Sequence, residues 1–233
     1  MKLLIVANWK CNPTTLAEAK RLFNSVKKEL KNIKNVEIVI CPPFVYLPVL
    51  GASASAKGYG GLASGSQDCF WEQSGAYTGE ISPRMLKDLG CQYVITGHSE
   101  RRKYQNETDL IINRKIKAAL KEGLKVILCI EMISQIRKDL RGISEKDFKN
   151  LILAFEPVSA IGTGRPYSVE LAKRVNSSIQ RIFEKNIPII LYGGSVDSGN
   201  AKNYIKEAGF QGLLVGGASL DSKEFVGIIK AVS

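Results

Sequence analysis

The chain has 233 residues, 45% of them apolar and 24% charged, with 33 basic against 22 acidic side chains and a net charge of +11. These values suit a globular chain with a full core and exclude a disordered or collagen-like one. The longest apolar runs, such as Leu3–Ala7 and Val36–Ile40, fall far short of the roughly 18–20 residues of a membrane span.

The opening Met1–Ala7 run begins like a signal peptide, but it stops at Asn8-Trp9-Lys10, too soon for one. Cys11, Cys41, Cys69, Cys91 and Cys129 are scattered, with no C-x-x-C, and His98 is the sole histidine, so no zinc spacing exists. A cytoplasmic protein with reduced thiols and no metal is expected. The lysines spread over Ala17–Lys34 and Ile112–Lys121 without a run of five or six, so neither nucleic acid nor membrane is an expected partner. A diffuse positive field still attracts small anions.

Short apolar runs alternate with amphipathic stretches along the chain. Strands are predicted at Leu3–Trp9, Val36–Cys41, Tyr93–Thr96, Leu124–Ile130, Leu151–Phe155, Ile187–Leu191 and Gly212–Val215. Most are continuous rather than alternating, as strands covered on both faces are. Helices are predicted at Thr14–Lys31, Asp109–Glu122, Ser168–Lys185, Asn200–Ala208 and Asp221–Val232. Thr14-Thr15 and Ser168 are candidate N-caps, and Gly90, Gly123 and Gly209 end helices ahead of the next strand. An eighth strand is needed near Tyr59–Gln67, although "GYGGLASGSQ" has poor strand propensity. Eight βα units of about 29 residues each, with no linker, predict one domain over 1–233, a closed (β/α)8 barrel, with a doubly wound open sheet as the alternative. The long Cys69–Glu80 loop carries Phe70, Trp71 and Tyr77 and reads as an interface.

In a barrel, chemistry sits where strands end. The exits offer Asn8-Trp9-Lys10, Gly97-His98-Ser99-Glu100, Glu156-Pro157, Gly193-Gly194-Ser195 and Gly216-Gly217-Ala218-Ser219. Alone, Lys10 reads as a surface lysine, His98 as a structural histidine, Glu156 as a loop charge and the glycine pairs as turns. Together they place a cation, an imidazole and a carboxylate at strand ends, beside two glycine-rich exits able to bind phosphate through backbone N–H groups. Chemistry on a small phosphorylated molecule follows. The Gly58–Ala63 match to G-x-G-x-x-A lacks a preceding strand and is set aside, and no Walker-type loop exists.

These residues carry a family resemblance. "ANWKCN" (Ala7–Asn12), "GAYTGEISP" (Gly75–Pro83), "VITGHSERR" (Val94–Arg102), "AFEPVSAIGTG" (Ala154–Gly164), "YGGSV" (Tyr192–Val196) and "LLVGGASL" (Leu213–Leu220) resemble triosephosphate isomerases along essentially the whole chain. The resemblance implies a single-domain TIM barrel that interconverts dihydroxyacetone phosphate and glyceraldehyde 3-phosphate through an enediolate, with no cofactor. It implies Glu156 as general base, His98 and Lys10 as stabilisers of the enediolate, Asn8 as an orienting group and Glu100 as the acidic partner of Lys10. Phosphate is expected on Gly162, Ser195, Gly216 and Gly217. Pro157–Tyr167, with Gly164, resembles a lid, and Ile161 and Leu214 resemble the apolar pair that presses on the base. Thr78 implies a homodimer through the Cys69–Glu80 loop. His98, ahead of a short helix, is expected to have its pKa lowered by the helix end and to act as a neutral donor.

The sequence departs from the family pattern around the lid. Ser159 replaces a tryptophan, Phe155 a tyrosine, Glu131-Met132 a Gly-Glu pair, and Arg165-Pro166-Tyr167 a Lys-Thr-Ala hinge. The interval from Cys129 to Glu156 is shorter by about one helix. Two other readings are a non-catalytic phosphate-binding basic barrel and a phosphosugar aldolase. The first would have lost Lys10, His98 or Glu156, and the second needs a lysine inside a late strand; neither condition is met.

Overall fold

Continuous apolar runs require cover on both faces, and a closed barrel ringed by helices supplies it. A computed structural model describes residues 2–30, 33, 35–51, 62–157, 166–183 and 186–233. In chain order it contains β1 (Leu3–Asn8), α1 (Leu16–Glu29), β2 (Val36–Cys41), α2 (Leu47–Gly51), β3 (Ala63–Ser66), α3 (Pro83–Asp88), β4 (Tyr93–Thr96), α4 (Ser99–Tyr104) and α5 (Asp109–Lys121). There follow β5 (Lys125–Ile130), α6 (Ile133–Asp139), β6 (Leu151–Phe155), α7 (Val169–Gln180), β7 (Ile189–Tyr192), α8 (Ala201–Lys206), β8 (Gly212–Val215) and α9 (Ser222–Val232). Each strand pairs in parallel with its neighbour in sequence, and Leu4–Ala7 of β1 pair with Gly212–Val215 of β8, closing the ring. This is a single-domain (β/α)8 TIM barrel, and closure removes the open-sheet alternative.

Alternate residues of each strand face opposite ways. Leu4, Val6, Val39, Cys41, Tyr93, Ile95, Ile127, Cys129, Ile152, Ala154, Leu191 and Leu214 fill the barrel interior. Ile5, Ala7, Ile38, Ile40, Val94, Val126, Leu128 and Leu153 face outward onto the helices. The helices meet them with single stripes, such as Ala19, Phe23 and Val26 on α1 and Ile112, Ile116 and Ala119 on α5. Burial of each large apolar side chain contributes about 1.5–3 kcal/mol.

The weak third strand has a packing reason. A Cβ on Gly65 would lie 2.6 Å from the Cys41 sulfur and 3.2 Å from the Tyr93 Cβ, so bulky strand formers have no room there. β3 covers Ala63–Ser66, within the predicted run, of which residues 59–61 lie outside the described residues, as does most of the set-aside glycine motif.

Thr15 caps α1 by accepting from the Glu18 N–H, and Gly90, Gly123 and Gly209 take φ of +82°, +71° and +75° as expected. Other boundaries move. α7 stops at Gln180 rather than Lys185, and Ser168 holds its N-cap position without a side-chain bond. β7 starts at Ile189 because Pro188 has no N–H to give the ladder. The shortened interval keeps a helix, the seven-residue α6.

Candidate active site

Strand phase aims the first site residues. Leu4 and Val6 point inward, so Asn8, next in phase, enters the barrel mouth, while Trp9 packs outward. Ile152 and Ala154 bring Glu156 inward in the same way. His98 is out of phase with Tyr93 and Ile95. Gly97 breaks the pleat with φ +69°, and a Cβ there would meet Cys129 O, Leu128 Cδ1 and Arg102 Nη2, each at 3.2 Å. The turn swings His98 over the mouth.

His98 is the N-cap of α4, its Nδ1 accepting from the Glu100 N–H at 3.2 Å. That ring nitrogen therefore carries no proton, and Nε2 is the donor, 3.1 Å from Glu156 Oε1. Glu156 Oε2 accepts from the Ser99 N–H at 3.3 Å. Both side chains are buried, at 5% and 2% exposure. Burial is the largest influence on each and opposes the charged form, yet the pairing overcomes it. The Glu156 carboxyl is held below its usual range by His98 and the Ser99 N–H, and the His98 imidazole is held above 6.5 by Glu156. The lowered imidazole expected from the helix end is therefore not found here: a carboxylate in contact at Nε2 outweighs a short helix.

Lys10 sits in left-handed backbone geometry, φ +54°, uncommon for a lysine and costing of order 1 kcal/mol. Two side chains hold it there. Asn8 Oδ1 accepts the Lys10 N–H at 3.1 Å, and Gln67 Nε2 donates to Lys10 O and Cys41 O, both at 2.8 Å. The Lys10 ammonium lies 2.5 Å from Glu100 Oε1. Gln67 did not emerge from the sequence, although it follows Ala63 and Gly65 on the inward phase of β3.

Asn8, Lys10, His98, Glu156 and Leu214 line one cavity of about 320 Å³ with Ser195, Gly216 and Gly217. A Cβ on Gly216 would lie 3.3 Å from Lys10 Cε, so glycine leaves room for the lysine stem. Gly217 opens a short 3-10 helix, Gly217–Leu220, at the cavity wall. Pro166 lines the cavity too, and Pro157 is buried directly after Glu156. Ser159, Ile161, Gly162, Gly164 and Arg165 lie outside the described residues. Thr78 is exposed and is not part of the cavity lining. Its loop is partly anchored: Phe70 is buried, with ring centroids 4.0 Å from Trp71 and 4.9 Å from Tyr77. Among the described residues no group of three or more metal-ligating side chains comes together, and no helix is long and apolar enough to cross a membrane.

The arrangement can move a proton. It holds a carboxylate, a hydrogen-bond donor and an ammonium around one small cavity, with glycine-rich backbone opposite. Comparison with known proteins agrees. The family model described as triosephosphate isomerase matches residues 3–232. A triosephosphate isomerase of Alkaliphilus oremlandii is 43% identical, covering 98% of each chain. One from Aquifex aeolicus is 41% identical, covering 98% of this chain and 99% of its own, and one from Trichlorobacter lovleyi is 40% identical over 97% of each. The alignment with the Alkaliphilus protein spans 249 positions against the 233 residues here, so this chain is the shorter within the aligned span.

Proposed function

The chain belongs to the triosephosphate isomerase family and interconverts dihydroxyacetone phosphate and glyceraldehyde 3-phosphate, a step of glycolysis and gluconeogenesis; from that premise we propose how its residues divide the work. Glu156 is the general base, taking a proton from the carbon beside the carbonyl and returning it to the adjoining carbon. In the free protein its basicity is suppressed by two donors, the His98 Nε2 and the Ser99 N–H. When the carboxylate turns to substrate it leaves both, and burial, the largest influence on it, then raises its proton affinity. The same movement frees His98 from the carboxylate that held its pKa up. Burial and the Glu100 N–H at Nδ1 then favour the neutral ring, whose Nε2–H donates to the enediolate oxygens.

Lys10 offsets the phosphate dianion and the developing oxyanion, kept in place by Glu100 and by Asn8, which also orients substrate. Phosphate lies on the backbone N–H groups of Ser195, Gly216 and Gly217, with Gly162 completing the set. Pro157–Tyr167, with Gly164, closes over it as a lid whose far hinge is Arg165-Pro166-Tyr167, and Ile161 and Leu214 press on the base. Closure excludes water and hinders loss of phosphate from the enediolate. No cofactor or metal takes part. Residues 1–233 work as one catalytic domain in the cytoplasm, as a homodimer built on the Cys69–Glu80 loop with Thr78 at the contact; gel filtration tests that assembly, with elution near twice the mass of one chain expected and elution at 25.6 kDa contradicting it.

One observation carries this reading: Glu156 and His98, from β6 and the β4 exit, meet at 3.1 Å in a cavity shared with Lys10 from the β1 exit. A coupled isomerase assay tests it. The wild type turns over, and Glu156→Asp, which withdraws the carboxylate by one methylene, lowers kcat by about 10²–10³ with little change in KM. A wild type without turnover, or Glu156→Asp at the wild-type rate, contradicts it.

A further inference from the structure

The cavity wall beyond the β7 exit carries a charge that the isomerisation does not use. Val196, Asp197 and Asn200 continue the lining past Ser195, and among the described residues Asp197 is the one acidic lining residue besides Glu156. Asp197 Oδ1 accepts from the Gly199 and Asn200 N–H groups at 2.9 and 2.8 Å. Asn200 Oδ1 accepts in return from the Asp197 N–H at 3.0 Å. The turn that leads into α8 is therefore closed on itself. Three main-chain N–H groups that would otherwise suit an anion are taken by its own side chains, and two of them fix a carboxylate at the cavity wall.

The glycine-rich exit of β8 is different. Gly216 and Gly217 line the same cavity, and a Cβ added at Gly217 would meet nothing within 4 Å. That backbone is open and carries no charge of its own. The cavity thus offers an anion one uncharged backbone wall near the Lys10 ammonium, and a second wall that bears a like charge. A phosphate held by Ser195, Gly216 and Gly217 fits the first. A further anionic group beside that phosphate meets the second. The chain as a whole has a net charge of +11 and attracts anions without discrimination. A fixed negative charge at the cavity wall is a repulsive element of the kind that turns such attraction into selectivity.

We propose that Asp197 is a specificity-determining residue for the isomerisation: its carboxylate limits the site to ligands bearing one phosphate and rejects those that carry a second anionic group next to it. The proposal rests on the reading of Ser195, Gly216 and Gly217 as the phosphate site. The selected class is the small monophosphate, and the rejected class is the diphosphate.

Inorganic phosphate and inorganic pyrophosphate, each tested as a competitive inhibitor without added metal, read this directly. The ratio of their inhibition constants cancels any change in turnover. Asp197→Asn keeps an oxygen that accepts from the Gly199 and Asn200 N–H groups and removes the charge. Pyrophosphate inhibition should tighten by about fivefold in Asp197→Asn, while phosphate inhibition shifts by no more than about twofold. The gain should shrink as the screening length falls from about 10 Å at 0.1 M salt to about 3 Å at 1 M. Asp197→Glu, which retains the charge, should keep pyrophosphate inhibition near the wild-type value. An unchanged ratio in Asp197→Asn overturns the proposal, and so does an equal gain for both inhibitors. An Asp197→Glu protein that admits pyrophosphate as readily as Asp197→Asn overturns it too, because the hydrogen bonds rather than the charge would then be responsible. A wild type with which phosphate does not compete for substrate overturns the phosphate-site reading and this proposal together.

Discussion

Helix α4 has a buried charged cluster at each end, and the two differ in how many partners each charge holds. At its start, His98 and Glu156 meet through one short approach, and the Ser99 N–H also donates to that carboxylate. Further along, Arg101 contacts Asp68 and Glu107 at 2.8 and 2.6 Å, and Lys115 contacts the same two carboxylates at 2.7 and 2.5 Å. Arg102 ties Asp109, Asp139 and the Gly97 carbonyl together at 2.7, 2.6 and 3.0 Å. Both clusters are ionic and largely buried, with Arg101 and Asp109 partly exposed in the second, but only the first opens on the cavity. Charges held by several charged partners stay put, and a carboxylate held by a few hydrogen-bond donors at a cavity wall is free to leave them. The multiply bonded cluster fixes the α4 frame on which the movable pair works, since Arg102 grips the very turn that aims His98.

The comparison can be broken at either end. The largest effect is expected at the movable pair. His98→Gln keeps a donor of similar reach and loses the ring, so kcat should fall by about 10² without abolishing turnover, and the melting temperature should shift little. Complete loss of activity would mean that His98 transfers a proton and does not merely donate a hydrogen bond. A smaller catalytic effect, with a large structural one, is expected at the fixed cluster. Lys115→Met leaves Asp68 and Glu107 with Arg101 alone, and breaking a buried pair from one side costs about 3 kcal/mol, or roughly 10 °C in melting temperature for a chain of this size. Turnover per folded molecule should stay within about threefold. Thermal denaturation combined with the coupled assay separates these outcomes. A Lys115→Met protein of normal stability and poor activity would erase the distinction between the two clusters.

Much of this was legible in the sequence, for physical reasons. Doubly covered strands read as continuous apolar runs, so β2, β4, β6 and β8 fall at their predicted boundaries. The exits of β1, β4, β6, β7 and β8 were legible because polar and glycine residues follow those runs abruptly. Other features depend on contacts that sequence spacing does not encode. Helix α7 ends at Gln180 although the apolar periodicity continues, and Phe183 packs instead edge-on against Phe148 at 5.3 Å. Helix α3 was marked in the sequence only by its end at Gly90, not by its Ser82-Pro83 start, where Ser82 accepts from the Met85 N–H. Gln67 acts across 57 residues of sequence, and nothing local marks it. The direction of the His98 pKa shift was misjudged for a related reason: the helix end is local, whereas the carboxylate that outweighs it comes from another strand.

The central claim is that Glu156 is a weak base while held by His98 and the Ser99 N–H, and a stronger one when it leaves them. Its folded-state pKa is lowered in the free protein, so it should take a proton only as pH falls below the ordinary carboxylate range of about 4.3. Carbon-13 NMR of glutamate-labelled protein, with the Glu156 carboxyl assigned through Glu156→Gln, reads this directly. The titration is run on the free protein and on the protein saturated with a non-reacting phosphorylated mimic of the enediolate. The account predicts a midpoint below 4.3 in the free protein and above it in the complex. The same low midpoint in both states would contradict it.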